Sequence, residues 1–226
     1  MMINMLISIP EFIKSIGTEL IITGVAAVIV SLATWLFTKF KKSNLYHSMF
    51  KSGVLRVYPN QDEAKNDILK HLKQAKVIKV FCIRGYSFVQ PDREFYTVLR
   101  DIDLYSDASI QFCLADPEGE AVMSRAHEIP GKPEEVYISE VKQTINTVYK
   151  RSKASKNIEL RLHNEDPIFR IYIIDDIIYL GFFQKGKVAK DSRIMKIDSS
   201  CPLYNALIKY YETIWEKSKN VEGEYV

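Results

Sequence analysis

The stretch Ile168-Phe-Arg-Ile-Tyr-Ile-Ile-Asp-Asp-Ile-Ile-Tyr-Leu-Gly-Phe-Phe-Gln184 decides the fold of this chain. Two runs of β-branched and aromatic residues flank Asp175 and Asp176, and this pattern predicts a strand, a two-residue turn and a second strand. Because both faces of the hairpin are apolar, we expect it in the middle of a sheet that is covered on both sides. The remainder of the chain must therefore supply helices for both faces of that sheet.

The segment from 54 to 220 contains the elements that such a sheet needs. Strands are predicted at 54–58, 77–83, 109–114, 158–163 and 193–197, where β-branched and aromatic residues cluster. Helices are predicted to begin near Asn60 and Pro91 and to cover 118–128, 134–155 and 202–217, where apolar residues recur every three or four positions. Alternating strands and helices followed by consecutive strands predict the α/β (α+β) class, with a mixed sheet flanked by helices.

The N-terminal segment differs from everything after it. Residues 20–38 contain no charged side chain, and a helix of that length spans about 28 Å, close to the hydrocarbon thickness of a bilayer. Lys39, Lys41 and Lys42 follow directly, and such a positive cluster stays on the cytoplasmic side. We therefore expect one transmembrane helix in the plasma membrane of a bacterium, with the N-terminus outside. A buried core helix is the alternative.

The expected organisation has four parts. They are an N-terminal segment with its transmembrane helix over 1–42, a juxtamembrane linker over 43–53, a cytoplasmic domain over 54–220 and a polar tail over 221–226. Gly24, Ala27 and Ser31 recur at spacings that let transmembrane helices approach one another closely. The expected partners therefore include the lipid bilayer and further copies of the chain, in a dimer or a larger homo-oligomer.

Composition narrows the class of protein. The net charge of +3 over 226 residues is small, which excludes an extended nucleic-acid-binding surface and leaves room for a local basic site. Cys82, Cys113 and Cys201 are far apart and odd in number, which fits reduced thiols in a reducing compartment better than disulfides. The sequence has neither a zinc-ligand spacing nor a nucleotide-binding glycine motif, so no metal and no cofactor are expected.

The central hairpin also resembles a family motif. The phospholipase D superfamily has His-x-Lys-x4-Asp on a strand and Gly-Ser-x-Asn further along. Alignment puts Ile168 at the His, Arg170 at the Lys, Asp175 at the Asp and Gly181-Phe-Phe-Gln184 at the second element. The resemblance covers roughly residues 54–217 and implies a phospholipase D-like fold. The His is the family's nucleophile, so Ile168 implies a degenerate domain, similar to the His-lacking sensor domains of bacterial regulators.

Ligands of open α/β sheets bind beyond the carboxyl ends of the strands. Arginines beside a glycine backbone suit a phosphate or a carboxylate at such a place. The candidate ligand-binding residues are Arg84, Gly85, Tyr86, Asp116, Arg170, Asp175 and Arg193. The alternative is that Arg84 and Arg170 form structural ion pairs with Asp116 or Asp175.

Two nearby features favour structural or surface roles. His163 has the wrong spacing to Arg170 for the family motif, so we expect it to support the turn that follows it. Lys185, Lys187 and Lys190 are typical of a solvated loop, and anionic lipid is a second possible contact for them.

Together these features predict a membrane-anchored cytoplasmic sensor or effector. Its domain would be a pseudoenzyme that binds a phosphorylated small molecule or nucleotide, for example a nucleotide signal in bacterial antiviral defence, or a partner protein. One alternative is a divergent phosphodiesterase, nuclease or phospholipase in which another group replaces the nucleophile. A second alternative is a scaffold that holds a partner at the membrane. Assays on phosphodiesters discriminate the enzyme from the two binding proteins.

Overall fold

The computed structural model describes residues 31–32, 34–35, 38–39, 53–166 and 168–225. The chain divides into two units, Met1–Met49 and Phe50–Val226. In the first unit the described residues are helical, and Lys39 Nζ lies 4.6 Å from the centre of the Trp35 ring. Most of the predicted span at 20–38 and nearly all of the predicted linker lie outside the described residues. Within the described part of the chain, no helix has the length and hydrophobicity to cross a bilayer.

The second unit is built from strands and helices in alternation, followed by consecutive strands. Its elements in chain order are β1 (Val54–Tyr58), α1 (Gln61–Leu72), β2 (Val77–Cys82), α2 (Glu94–Tyr105), β3 (Ser109–Ala115), α3 (Glu120–Glu128), α4 (Glu134–Ala154), β4 (Ile158–His163), β5 (Phe169–Ile174), β6 (Ile177–Phe182), β7 (Ile194–Asp198), α5 (Pro202–Lys217) and β8 (Lys219–Asn220). Two short 3-10 helices, Tyr86–Phe88 and Ala189–Asp191, lie in connections that the sequence pattern had left without structure.

All the strands form one mixed sheet in the order β1-β7-β6-β5-β2-β3-β4-β8. Strands β2, β3 and β4 run parallel to one another, and every other pairing is antiparallel. The β6 and β5 strands of the hairpin are third and fourth of the eight, so the hairpin lies in the interior of the sheet. The prediction of a central hairpin in a mixed sheet is therefore confirmed.

The turn of this hairpin is tied to the neighbouring strand. Asp175 has a positive φ of 51°, a conformation that aspartate tolerates better than most residues. Its Oδ1 accepts backbone N–H groups from Lys76 at 3.0 Å and from Val77 at 2.9 Å. The carboxylate thus holds the hairpin turn against the start of β2.

The two faces of the sheet carry separate hydrophobic cores. The four-helix face is covered by α1 to α4 and includes Ile78, Val80, Phe112, Leu114 and Tyr172, together with Ile68, Leu99 and Val141 from the helices. The α5 face includes Phe81, Ile171, Ile173 and Ile178, together with Leu207 and Tyr211 from α5. Successive strand residues alternate between the two cores, as the pleat of a strand requires. Helices on both faces, the second expectation from the hairpin, are confirmed.

Most of the candidate ligand-binding residues lie at one end of the sheet. The parallel strands β2, β3 and β4 end there, and we call it the carboxyl end. Because β5, β6, β7 and β1 pair antiparallel in turn, β5 and β7 begin at this end while β6 and β1 finish at it. The loop with Arg84 and Gly85, the first turn of α1 and the connection with Ser192 and Arg193 therefore lie at the same end.

Candidate functional site

Arg170 is a buried positive charge at the carboxyl end. Its side chain is 5% exposed and belongs to the four-helix face. Nη1 donates a 2.9 Å hydrogen bond to Oε1 of Gln61, and the guanidinium lies 5.9 Å from the centre of the Tyr172 ring. Nη2 is buried and has no hydrogen-bond partner among the described residues. Arg170 forms no ion pair with Asp175 or Asp116, so the structural ion-pair interpretation is wrong for this residue.

Gly181 explains how Arg170 is accommodated. The two residues are directly paired across β5 and β6. A Cβ on Gly181 would lie 2.8 Å from Nε of Arg170, closer than non-bonded atoms approach, and 3.3 Å from its Cγ, which is a tight contact. The arginine side chain therefore crosses the bare backbone of β6, and a larger residue at position 181 would force the arginine or the strand to move.

Cys82 and Gly85 lie on the β2 side of Arg170, opposite Gly181. The β2–β5 register pairs Phe81 with Ile171, which puts Cys82 beside Arg170 on the four-helix face. Burial raises the pKa of the Cys82 thiol to about 12, although the Arg170 charge acts in the opposite direction. Gly85 has φ +61°, and a Cβ there would come within 3.0 Å of Leu114 and 3.5 Å of the Cys82 sulfur. The structure thus brings Arg170 and Gly85 to the two sides of Cys82.

Arg84 forms an ion pair with a carboxylate of α4. Its guanidinium forms an ion pair with Glu140, and the same carboxylate accepts a 2.6 Å hydrogen bond from Lys132 Nζ. It also lies 4.7 Å from the Tyr86 ring and 5.3 Å from the Tyr137 ring. Arg84 is therefore a structural ion-pair member, as the alternative interpretation held, but its partner is Glu140. Neither Asp116 nor Asp175 has that role, so the predicted partners are wrong.

The remaining candidates are not assembled around Arg170. Asp116 forms a 2.6 Å ion pair with Lys219 and accepts the backbone N–H of Glu118 at 3.2 Å. Asp175 lies at the other end of β5, about 17 Å from Arg170 along an extended strand, and its carboxylate caps β2. Arg193 is exposed at the start of β7. The candidate set thus reduces to Arg170, Gly85 and the residues that touch them.

Sequence reasoning missed several residues at the carboxyl end. Gln61 is the first residue of α1, and Ser192, whose side chain is 1% exposed, has an unpartnered Oγ within the described part of the chain. Arg125 of α3 is also 1% exposed. It donates to Glu128 at 2.9 Å and to the backbone oxygens of Gln184 at 3.1 Å and Lys187 at 2.6 Å, so it holds the loop after β6 in place. Gln61 and Ser192 are neutral polar residues near helix ends and Arg125 is one charged residue in a mostly polar helix, so none of them gives a sequence signal for its role.

A second polar cluster anchors α1 to the sheet. Asp67 Oδ2 accepts hydrogen bonds from Tyr58 at 2.8 Å and Tyr179 at 2.7 Å, and it forms a 2.8 Å ion pair with Lys196. Burial raises the pKa of the Asp67 carboxyl, but the hydrogen bonds from Lys196 and the two tyrosines outweigh it and hold the pKa at about 2. His71 Nδ1 contacts the Asp67 backbone oxygen at 2.8 Å and the Tyr179 hydroxyl at 3.0 Å. Every member has a partner, so the cluster fixes α1.

His163 supports a turn on the α5 face, as its position in the sequence suggested. Its ring lies 4.5 Å from that of Phe81, and Nδ1 accepts the backbone N–H of Glu165 at 3.1 Å. Burial lowers the pKa of His163 to about 4. Because Arg170 belongs to the opposite face, the two residues do not form one site. In the described ranges no group of three or more His, Cys, Asp or Glu side chains is arranged to hold a metal ion.

Comparison with known proteins gives likenesses in structure only. No family model and no curated protein sequence matches the chain. Nuc from Salmonella typhimurium, a phospholipase D family member, is 15% identical with a TM-score of 0.46, and the match covers 74% of this chain and 95% of that one. Phosphatidylserine synthase from Haemophilus influenzae is 12% identical with a TM-score of 0.48, covering 74% and 39%. The archaeal chromatin protein TrmBL2 is 12% identical with a TM-score of 0.44, covering 92% and 71%.

These identities and TM-scores carry no inference about activity, ligands or partners. The geometry of the chain itself shows a mixed sheet that has helices on both faces and the β5–β6 hairpin in its interior. The buried arginine at the carboxyl end of that sheet is the feature from which a function can be argued.

Proposed function

We propose that this protein is a membrane-anchored sensor whose phospholipase D-like domain binds a phosphorylated ligand at Arg170 and does not hydrolyse it. The anchor is inferred from the uncharged run at 20–38 and the lysines that follow it. The phospholipase D-like assignment is inferred from the motif at 168–184, together with a mixed sheet that has this hairpin at its centre.

The uncompensated charge of Arg170 carries the proposal. Taking a charged group out of water is expensive unless an opposite charge and hydrogen bonds replace the solvent. The partners of Arg170 among the described residues are the neutral side chains of Gln61 and Tyr172. A bound phosphate would supply both the missing charge and an acceptor for Nη2, in the charge-assisted geometry that arginine favours. The ligand-free site therefore has a built-in preference for an anion.

Two observations support binding without hydrolysis. Ile168, which aligns with the nucleophilic His of the family, has no group that can attack phosphorus. It is also 58% exposed, directly before β5. His163, the histidine nearest in sequence, is held on the α5 face by Glu165 and the Cys82 backbone. Neither Ile168 nor His163 can therefore supply a nucleophile to a phosphate at Arg170, and burial keeps the neighbouring Cys82 thiol protonated by raising its pKa to about 12.

The test uses the full chain purified in mild detergent. Thermal unfolding is measured with and without inorganic phosphate, and then with a panel of nucleotides that includes cyclic oligonucleotides. Stabilisation that rises with ligand concentration reports binding to the folded state. Arg170→Met keeps an unbranched stem and removes the charged guanidinium. We expect this variant to lose phosphate affinity by about ten- to a hundredfold, the scale of one charged hydrogen-bonding group.

The stability of the ligand-free variant separates the proposal from a structural role. Removing a buried charge that no carboxylate compensates recovers its cost of desolvation. This gain offsets the loss of the hydrogen bond to Gln61, so Arg170→Met should unfold near the wild-type temperature. Arg100→Met is the matched control, because Arg100 is half-exposed and pairs with Asp101 on the surface of α2. A phosphate response that survives in Arg170→Met would remove the proposed site.

The alternatives give different results in the same preparation. A divergent phosphodiesterase would turn over bis(4-nitrophenyl) phosphate, and Arg170→Met would abolish that turnover. A membrane-tethered scaffold would show no stabilisation by any phosphorylated compound, and Arg170→Met would lower its unfolding temperature.

A further inference from the structure

Ser192 is a second polar group at the carboxyl end that is buried and has no partner among the described residues. It is 1% exposed, and its Oγ forms no hydrogen bond within the described residues. Leaving a hydroxyl buried and unbonded is unfavourable, and alanine would avoid that cost. The hydroxyl weakens the ligand-free fold, which points to a partner that comes from outside the chain.

The backbone puts Ser192 on the same face of the sheet as Arg170. Ser192 is extended, with φ −83° and ψ 144°, and lies two residues before Ile194. Side chains two apart in an extended chain point to the same side, and Ile194 packs in the core of the four-helix face. The 3-10 helix just before Ser192 packs against α1, the helix that begins with Gln61.

The sheet register sets the separation of the two groups. Arg170 pairs with Gly181, and Gly181 pairs with Ile194. Two strand spacings put the backbone of Ile194 about 10 Å from that of Arg170, and Ser192 precedes Ile194 by two extended residues, about 7 Å along the strand direction. The Arg170 side chain crosses part of this separation over the bare backbone of Gly181. Arg170 and Ser192 therefore approach one region from the two sides of β6, each with an unpartnered polar atom.

We propose that Arg170 Nη2 and Ser192 Oγ bind the same tetrahedral oxyanion, and that the ligand presents it as a terminal phosphate monoester. This inference rests on the function proposed above and names the ligand class of that site. Because both residues are almost fully buried, the group they hold must enter end first. A monoester has one substituent, which can lead back to solvent, whereas a diester would leave a second substituent against the buried wall.

Charge favours the same class of ligand. Arg170 has no carboxylate among its described partners, so the site presents a full positive charge. A monoester carries about −1.5 to −2 at neutral pH, which is more than a diester carries, and it offers three free oxygens. Nη2 and Oγ can then each donate to a different oxygen of one phosphate.

The test compares inorganic phosphate, methyl phosphate and dimethyl phosphate on the full chain in mild detergent, with dissociation constants taken from the ligand dependence of the unfolding temperature. We expect phosphate and methyl phosphate to bind and dimethyl phosphate to bind at least about tenfold more weakly, the loss expected for one charged hydrogen bond. Ser192→Ala should weaken methyl phosphate binding by about tenfold. It should also unfold at or above the wild-type temperature without ligand. Ser199→Ala, at an exposed serine just after β7, is the matched control.

The three possible negative results exclude different parts of the proposal. Unchanged methyl phosphate affinity in Ser192→Ala, with affinity lost in Arg170→Met, would remove Ser192 and leave the proposed function standing. Dimethyl phosphate binding as tightly as methyl phosphate would overturn the terminal-phosphate class. If neither phosphate nor methyl phosphate stabilises the wild-type chain, this inference fails, and the proposed function fails with it when the nucleotide panel gives no stabilisation either.

Discussion

Oε1 of Gln61 lies 2.9 Å from Nη1 of Arg170, and this hydrogen bond joins the first turn of α1 to the central hairpin. The two residues are 109 positions apart in the chain. Both are largely shielded from water, Gln61 at 9% and Arg170 at 5% exposure. The bond orients one end of the guanidinium and leaves Nη2 for another partner.

Removing the Gln61 amide should destabilise the domain. In Gln61→Ala the buried Nη1 loses its acceptor, and a hydrogen bond to a charged group contributes about 1.5–3 kcal/mol. Urea unfolding of the full chain measures the change. Gln74→Ala serves as control, because Gln74 is exposed after the end of α1. Equal stability of Gln61→Ala and wild type would mean that water or another side chain replaces the amide.

Gly181→Ala should displace Arg170. The added Cβ would lie 2.8 Å from Nε, so either the arginine or strand β6 must move. Overpacking of this kind typically destabilises by about 1–3 kcal/mol. It should also weaken any phosphate response that depends on Arg170. Gly223→Ala is the matched control, since a Cβ there meets no atom within 4 Å. Wild-type stability and wild-type phosphate response in Gly181→Ala would contradict the crossing of Arg170 over β6.

Asp67 should make the stability of the domain sensitive to acid. Its pKa of about 2 in the folded chain is below the ordinary value of 3.8. A group whose pKa is depressed by folding contributes stability above its unfolded pKa and loses that contribution as the pH falls towards its folded pKa. The difference in unfolding temperature between wild type and Asp67→Asn should therefore be constant above about pH 5 and shrink between about pH 4 and 2.

A control isolates the carboxylate of Asp67 from the general effect of acid. Asp101→Asn changes a carboxylate that is half-exposed and paired only with its neighbour Arg100. Its difference from wild type should be small at every pH, because exposed ion pairs contribute little. A difference for Asp67→Asn that stays constant down to pH 2 would show that the carboxylate is not what stabilises α1.

Arg125→Met should release the loop after β6. The side chain is 1% exposed and bonds the backbone oxygens of Gln184 and Lys187, which lose a buried donor in the variant. Amide hydrogen exchange over 184–187 should become faster, while exchange in β5 stays slow. Arg151→Met, which changes an arginine stacked on Tyr96 at the surface of α4, should leave this loop unchanged. If the amides of 184–187 exchange as slowly in Arg125→Met as in the wild type, contacts other than those of Arg125 hold the loop in place.

The sequence alone was sufficient for the hairpin and its covered, central position, because apolar residues on both faces of two adjacent strands allow few other places in a sheet. It was misleading for Asp175. The motif aligned this residue with an acid of a catalytic site, but its carboxylate caps Lys76 and Val77, which are far away in the chain and can be found only from the strand order. Arg170 stood out as a charge in an apolar strand, whereas Gln61 and Ser192 became visible only through their burial.

The pairing of β1 with β7 has a consequence for the synthesis of the chain. Val54 pairs with Ile197, so β1 finds its neighbour only after more than 140 further residues, up to Ile197, have left the ribosome. One edge of strand β2 likewise stays unpaired until β5 has been synthesised. Closing such long loops is entropically unfavourable, and folds dominated by distant contacts form slowly. A nascent chain that stops before residue 194 leaves β1 and the outer edge of β6 unpaired, which makes them sites for aggregation or chaperone binding.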